Sequence, residues 1–166
     1  MFLSFEKIPS YSRLWIYQSD RELTDSEVLA VTTILTNFIE SWQTHGSSLT
    51  SSFEILHNRF LIVAVNEELT KASGCSIDKS VEIMRVIEKE FKISLFDRTK
   101  IAYLDSEHKI VIASLSTLKE LVAEQKITSD TIVFDNLIQT KEQLDSQWKT
   151  KASTTWLKRY FQNVLS

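Results

Sequence analysis

The chain is poor in the residues that build tight turns and cross-links. Its 166 residues include two glycines, one proline and one cysteine, whereas glycine and proline ordinarily supply about 7% and about 5% of a globular protein. A single cysteine can form neither an intramolecular disulfide nor a multi-cysteine metal site. We therefore expect a reduced protein with no metal site and no cofactor.

Long apolar runs and a strong excess of one charge are also missing. The longest uninterrupted apolar run spans residues 60–65, and a membrane-spanning helix needs about 20 residues. The amino-terminal segment lacks the apolar core of a signal peptide. The net charge of −3 is not the basic footprint of a nucleic-acid-binding protein. These absences predict a soluble, cytoplasmic protein with no membrane span and no nucleic-acid partner.

The patterns that are present predict one α+β domain over residues 1–166. Thr24 and Glu27 form a capping box ahead of a long helix, which we expect to stop near Trp42, with His45-Gly46 supplying the left-handed residue that ends it. A second helix is expected after Cys75. Strands are predicted at 14–17, 52–56, 59–65, 101–104 and 109–113. Because hairpins make antiparallel neighbours, we predict a single mixed, mostly antiparallel sheet of about five strands with helices packed against it.

The segment around Gly74 is the best candidate for a functional site. In a chain with so few glycines, Gly74 is expected to make a tight turn into the second helix, next to the only cysteine, Cys75. A thiol at a helix amino terminus is favoured as the thiolate, which is the nucleophilic form. Lys79 would strengthen this effect and Asp78 would oppose it. Alternatively, Cys75 is a small buried thiol with a packing role.

The same turn has two further interpretations. Ser76 and Lys79 match the S-x-x-K pattern of serine acyl enzymes, but no K-T-G motif accompanies them, so Ser76 is better interpreted as the helix N-cap. Backbone amides at a helix start also bind anions, with Ser73, Gly74, Ser76 and Lys79 as ligand-binding residues. Arg98 could join them by binding a carboxylate or phosphate in bidentate fashion.

Two other groups of residues are relevant to function. The three histidines, at positions 45, 57 and 108, could each serve a catalytic cysteine, but nothing local assigns one to Cys75. The carboxy-terminal segment is expected to form two helices that carry Trp148, Trp156, Tyr160 and Phe161 among lysines and an arginine. These aromatic helices could form an interface with a second copy or another protein.

Six short segments carry a resemblance to a known family. They are WIYQS at 15–19, Trp42 with HG at 45–46, SFEI at 52–55, ASGCSIDKS at 72–80, LFDR at 95–98 and FDNL at 134–137. Together they resemble a family of small uncharacterised bacterial proteins, and the likeness covers most of the chain. Members often bear an automatic label of ABC transporter ATPase. The resemblance implies no established reaction or ligand.

The ATPase label conflicts with the residues themselves. A P-loop requires G-x-x-x-x-G-K-[ST], in which successive amides wrap the phosphates and the lysine reaches the terminal ones. Gly46 and Gly74 are 28 positions apart, and neither precedes Lys-Ser or Lys-Thr. An ATPase built on that motif is excluded. We expect a non-enzymatic binding or interaction protein that recognises a small anionic ligand or a protein partner near residues 73–79, with a thiol-dependent enzyme and an assembly subunit as alternatives.

Overall fold

A computed structural model describes residues 1–162 and has the α+β class expected from the sequence. The chain divides into two units, the first comprising Met1–Phe96 and Leu137–Gln143, the second Asp97–Asn136 and Leu144–Ser166. The prediction of one sheet of about five strands is wrong, because the strands within residues 1–162 form three sheets of three, two and four strands. Each predicted hairpin does pair, but apolar alternation does not determine which hairpins become neighbours.

The first unit is built on a three-stranded antiparallel sheet. Its strands are β1 (Arg13–Gln18), β4 (Thr50–Leu56) and β5 (Phe60–Asn66), in the order β1-β5-β4. All side chains from residue 60 to residue 65 are fully buried. This agrees with the absence of polar alternation in that run, since a strand covered on both faces has no solvent side.

Two long helices cover one face of this sheet. They are α1 (Asp25–Ser41) and α2 (Gly74–Phe91). The predicted capping box of α1 is confirmed, because Thr24 Oγ1 accepts from the Glu27 amide at 3.2 Å and Glu27 Oε1 accepts from the Thr24 amide at 2.9 Å. The shared core contains Val31, Leu35, Ile39, Leu61, Val63, Val65, Met84 and Ile87.

A very short hairpin follows α1 and corrects the role expected for Gly46. Strands β2 (Gln43–Thr44) and β3 (Ser47–Ser48) are joined by His45 and Gly46, whose φ angles are 49° and 79°. Two consecutive left-handed residues are typical of a two-residue hairpin turn. Gly46 therefore closes this hairpin and does not end α1, whereas the predicted end of α1 near Trp42 is confirmed, because Trp42 is its C-cap residue.

The second unit contains a four-stranded antiparallel sheet. Its strands are β6 (Lys100–Leu104), β7 (Ile110–Ser114), β8 (Ile132–Phe134) and β9 (Lys149–Lys151), in the order β7-β6-β8-β9. Helix α3 (Leu118–Ala123) packs on this unit. Its core contains Ile101, Tyr103, Ala113, Leu118, Ile127, Val133, Ala152 and Leu157.

The two carboxy-terminal helices expected from the sequence are only partly present. Helix α4 (Lys141–Ser146) ends before Trp148, and β9 follows because it pairs with β8. Trp148 is buried against Phe134, with ring centroids 4.8 Å apart. Of the later aromatic residues, Trp156 and Tyr160 lie in a 3₁₀ helix, Trp156–Tyr160, and Phe161 follows it. Further 3₁₀ turns occupy Phe5–Lys7, Leu115–Thr117 and Ala152–Thr154. No helix within residues 1–162 has the length and apolar content to cross a membrane.

Candidate functional site

The start of α2, defined here as residues 73–79, is organised by two serines. Ser73 is the N-cap, with extended backbone angles of −84° and 166°, and its Oγ accepts from the Ser76 amide at 3.1 Å. The Ser76 hydroxyl donates to the Ser73 carbonyl at 2.8 Å. The N-cap is therefore Ser73 and not Ser76, because Ser76 lies inside the first turn and is only 2% exposed.

Gly74 is not needed for the backbone conformation of this turn. It is the first residue of α2, its φ lies outside the left-handed region, and an added Cβ would meet no atom within 4 Å. The change of chain direction comes from the extended backbone of Ser73. The expectation that glycine makes the turn is corrected accordingly.

Cys75 is exposed and is not part of a disulfide. It is the second residue of α2, and the first turn of this helix contains no acidic residue. Asp78 lies one position beyond that turn, so its charge is farther from the helix terminus than the sequence implied. The alternative of a buried packing thiol does not fit this exposure.

Two residues from neighbouring elements hold the α2 start in place. Trp42 is 2% exposed, and its indole Nε1 donates to the Ser76 carbonyl at 2.8 Å. Thr44, in β2, accepts from the Ser73 amide through Oγ1 at 3.2 Å. A buried, hydrogen-bonded tryptophan combines a large apolar contact with a directional bond. The end of α1 and the β2–β3 hairpin therefore fix where the α2 start lies.

An open groove of about 400 Å³ lies between the end of α1 and α2. We call it the α1–α2 groove. It is lined by Phe38, Ser41, Trp42, Gln43, Lys79, Glu82, Ile83 and Val86. Val86 is 50% exposed, and the Phe38 and Trp42 rings lie 5.1 Å apart. Lys79 is the residue that this groove shares with the predicted ligand-binding set.

The predicted site residues are divided between the two units. Ser73, Gly74, Cys75 and Ser76 are consecutive at the α2 start, but Arg98 is an exposed residue of the second unit. All three histidines occupy left-handed turn positions, with φ angles of 49°, 56° and 61°, where histidine is enriched. The Cys75 thiol forms no hydrogen bond in the part of the chain that the structure describes.

No metal centre accompanies the site. Within residues 1–162, no three His, Cys, Asp or Glu side chains are grouped so as to hold a metal ion.

The predicted ligand-binding serines are already engaged in capping bonds, so the polar groups that they leave at the surface are few. What the α2 start presents to solvent is the Gly74–Cys75 backbone, the Cys75 thiol, the Asp78 carboxylate and the Lys79 ammonium.

The sequence interpretation missed two lining residues of the groove, Ile83 and Val86. The buried face of α2 includes Met84 and Ile87, and the two missed residues lie beside it on the helix. The apolar face of α2 is wider than packing against the core requires, and this extra width is the signal that could have identified Ile83 and Val86.

The chain was compared with protein families, with curated proteins and with solved structures, and none of these comparisons found a match.

Proposed function

We propose that this chain is a non-enzymatic protein-interaction protein, whose α1–α2 groove receives an apolar side chain from a segment of a partner protein. The observation that carries the proposal is the groove itself, in which Phe38, Ile83 and Val86 line an open space directly beside the α2 start. Apolar side chains that stay accessible beside a rigid scaffold are typical of binding surfaces.

The polar residues of the groove define what kind of segment would fit. Lys79 and Glu82 both line it, one cationic and one anionic, and neither forms an ion pair within residues 1–162. Polar groups of either sign on a peptide therefore have a counterpart beside the apolar lining. A groove between two helices is a common way to bind a short segment through apolar anchors.

The alternative of a small anionic ligand at residues 73–79 has less support. The Ser73 and Ser76 side chains both form capping hydrogen bonds with the backbone of the same turn. An anion would be left with the Gly74 and Cys75 amides and with Lys79. A protein segment uses these groups as well as the apolar lining, so it uses more of the surface.

Cys75 allows a direct test with the full chain. As the single cysteine, it can carry a maleimide photo-crosslinker beside the groove. We expect discrete cross-linked species in an extract, and we expect Val86→Lys to reduce their yield about tenfold, as loss of an interface anchor does. The matched control is Leu29→Lys, at a 71% exposed leucine of α1 that does not line the groove.

The outcomes separate the two kinds of ligand. Equal yields from the wild type, Val86→Lys and Leu29→Lys would refute the groove as the binding surface, as would the absence of any cross-linked species. Inorganic phosphate is added as a competitor in parallel. If phosphate abolishes cross-linking and Val86→Lys does not, the site recognises an anion instead.

A second function, thiol chemistry at Cys75, is favoured by its exposure on the first turn of α2, where no acidic residue lies. Iodoacetamide labelling against pH tests this function in the native protein. A half-point well below the free-thiol value of about 8.5 supports it, and labelling that follows the free-thiol curve contradicts it.

A further inference from the structure

A second surface, in the other unit, consists of aromatic rings organised around an arginine. In the 3₁₀ helix Trp156–Tyr160, the Arg159 guanidinium carbon lies 5.2 Å from the centre of the Trp156 ring and 5.2 Å from that of Tyr160. The two rings are 6.3 Å apart. Trp156 is 45% exposed, whereas Leu157 beneath it is 3% exposed. We call Trp156, Lys158, Arg159 and Tyr160 the arginine–aromatic cluster.

The short helix is anchored firmly enough to present this cluster. Thr155 Oγ1 accepts from the Leu157 amide at 3.1 Å, and the Thr155 hydroxyl donates to the Ala152 carbonyl at 2.8 Å. Leu157 belongs to the core of the second unit. The exposed Trp156 ring and the partly buried Tyr160 ring are therefore held on a fixed backbone, so that less conformational entropy is lost when a ligand binds.

The charge of this part of the chain is opposite to that of the whole. The net charge of the protein is −3, yet no Asp or Glu follows Asp145. Four cations occupy that segment, namely Lys149, Lys151, Lys158 and Arg159. Only Lys151 has an ion pair among the described residues, with Asp130 at 3.5 Å. Among the described residues, Lys149, Lys158 and Arg159 are therefore exposed cations without a carboxylate partner, which an acidic partner would supply.

The guanidinium of Arg159 is arranged to bind such a carboxylate. Stacking against rings occupies the flat face of an arginine and leaves its N–H edge available. The single hydrogen bond of this guanidinium within residues 1–162, to the Tyr160 hydroxyl, is 3.5 Å long and therefore weak. A carboxylate can accept two parallel bonds from that edge, while the exposed part of the Trp156 indole contacts an apolar neighbour.

From this geometry and charge we propose that the arginine–aromatic cluster binds an acidic segment of a partner protein, in which a carboxylate lies next to an apolar side chain. A single-stranded nucleic acid fits less well, because base stacking needs an open ring face, and Arg159 covers one face of Trp156. The overall negative charge also disfavours a long polyanion. This surface is distinct in sequence from the α1–α2 groove, and the proposal does not depend on that groove.

The experiment measures the anisotropy of a fluorescein-labelled peptide of alternating Glu and Leu residues, added to the full chain. The same peptide with Gln in place of Glu is the first control. We expect the acidic peptide to bind about tenfold more tightly, and Arg159→Gln and Trp156→Ala each to weaken it about tenfold. The affinity of Arg159→Lys for the acidic peptide should lie between those of the wild type and Arg159→Gln, since lysine keeps the charge without the planar fork of N–H donors. Lys89→Gln, a charge-matched change on α2, should have no effect.

Any one of the following results would overturn the proposal. The first is equal binding by the Arg159→Gln and Lys89→Gln proteins, or no binding of the acidic peptide by the wild type. The second is tighter binding of an oligothymidylate than of the peptide. The third is a mass that grows with concentration and returns to the monomer in Trp156→Ala, which would assign the cluster to a second copy of the chain. Circular dichroism verifies folding, and Arg159→Gln alone is decisive if Trp156→Ala unfolds.

Discussion

Replacing Trp42 by phenylalanine should destabilise the first unit by about 2–3 kcal/mol. The indole is 2% exposed and donates to the Ser76 carbonyl at 2.8 Å. The lost hydrogen bond accounts for about 1 kcal/mol. Loss of the five-membered ring removes buried carbon, which contributes about 0.8 kcal/mol per carbon group, and leaves a gap that the core fills only in part. Together these two effects add about 1–2 kcal/mol.

Urea denaturation followed by circular dichroism at the helix band measures this loss. With a denaturant slope of about 2 kcal/mol per molar urea, the midpoint should fall by about 1–1.5 M. The matched control is Trp15→Phe, which makes the same change at a half-buried position of β1. No hydrogen bond of the Trp15 indole occurs among the described residues, so a smaller shift is expected there.

The comparison tests the claim that Trp42 ties the end of α1 to the α2 start. Equal midpoint shifts for the two variants would refute it, because the buried hydrogen bond would then contribute nothing. A shift below about 0.3 M for Trp42→Phe would also refute it, since that is close to the error of the extrapolation. In either case the α2 start would be held by other contacts.

Three further predictions concern local features of the first unit. Ser73→Ala should cost about 1 kcal/mol through loss of the N-cap, and Ser73→Asp should restore it in thermal denaturation. Gly74→Ala should stabilise α2 by about 0.5–1 kcal/mol, whereas Gly46→Ala should destabilise the hairpin, because only Gly46 has a left-handed φ, of 79°. The Arg21 guanidinium lowers the pKa of Glu27 to about 2. The stabilisation from Glu27 is therefore complete above about pH 4.5 and lost as the pH falls toward 2, and Glu27→Gln should abolish that dependence in urea titrations.

Arg21 shows how a residue without a sequence signal acquires a structural role. Its guanidinium binds both carboxylate oxygens of Glu27, at 2.8 and 2.7 Å, and donates to the Phe91 carbonyl at 2.7 Å. It thus joins the start of α1 to the end of α2. Phe91 is 70 positions away in the chain, so spacing along the sequence could not predict the contact.

Local sequence signals predict one part of the candidate site, and contacts between residues distant in the chain determine the other part. The sequence located the start of α2, because a polar residue ahead of a helical apolar pattern is a local signal. It assigned the cap to Ser76 instead of Ser73, since the choice depends on backbone angles within one turn. It could not reveal the α1–α2 groove, which requires Phe38 and Val86 to meet from separate helices.

The sequence alone determined helices α1 and α2, the strands of the β4–β5 and β6–β7 hairpins, the capping box at Thr24 and the burial of β5. These features follow from spacing and capping within a few residues, where the backbone geometry of each element dictates the pattern. Only the tertiary structure decided that the strands form three sheets, that β9 replaces a helix after Ser146, and that Cys75 is exposed while Ser76 is buried. Each of these depends on contacts between residues far apart in the chain, whose pairing is chosen by the packing of the whole core.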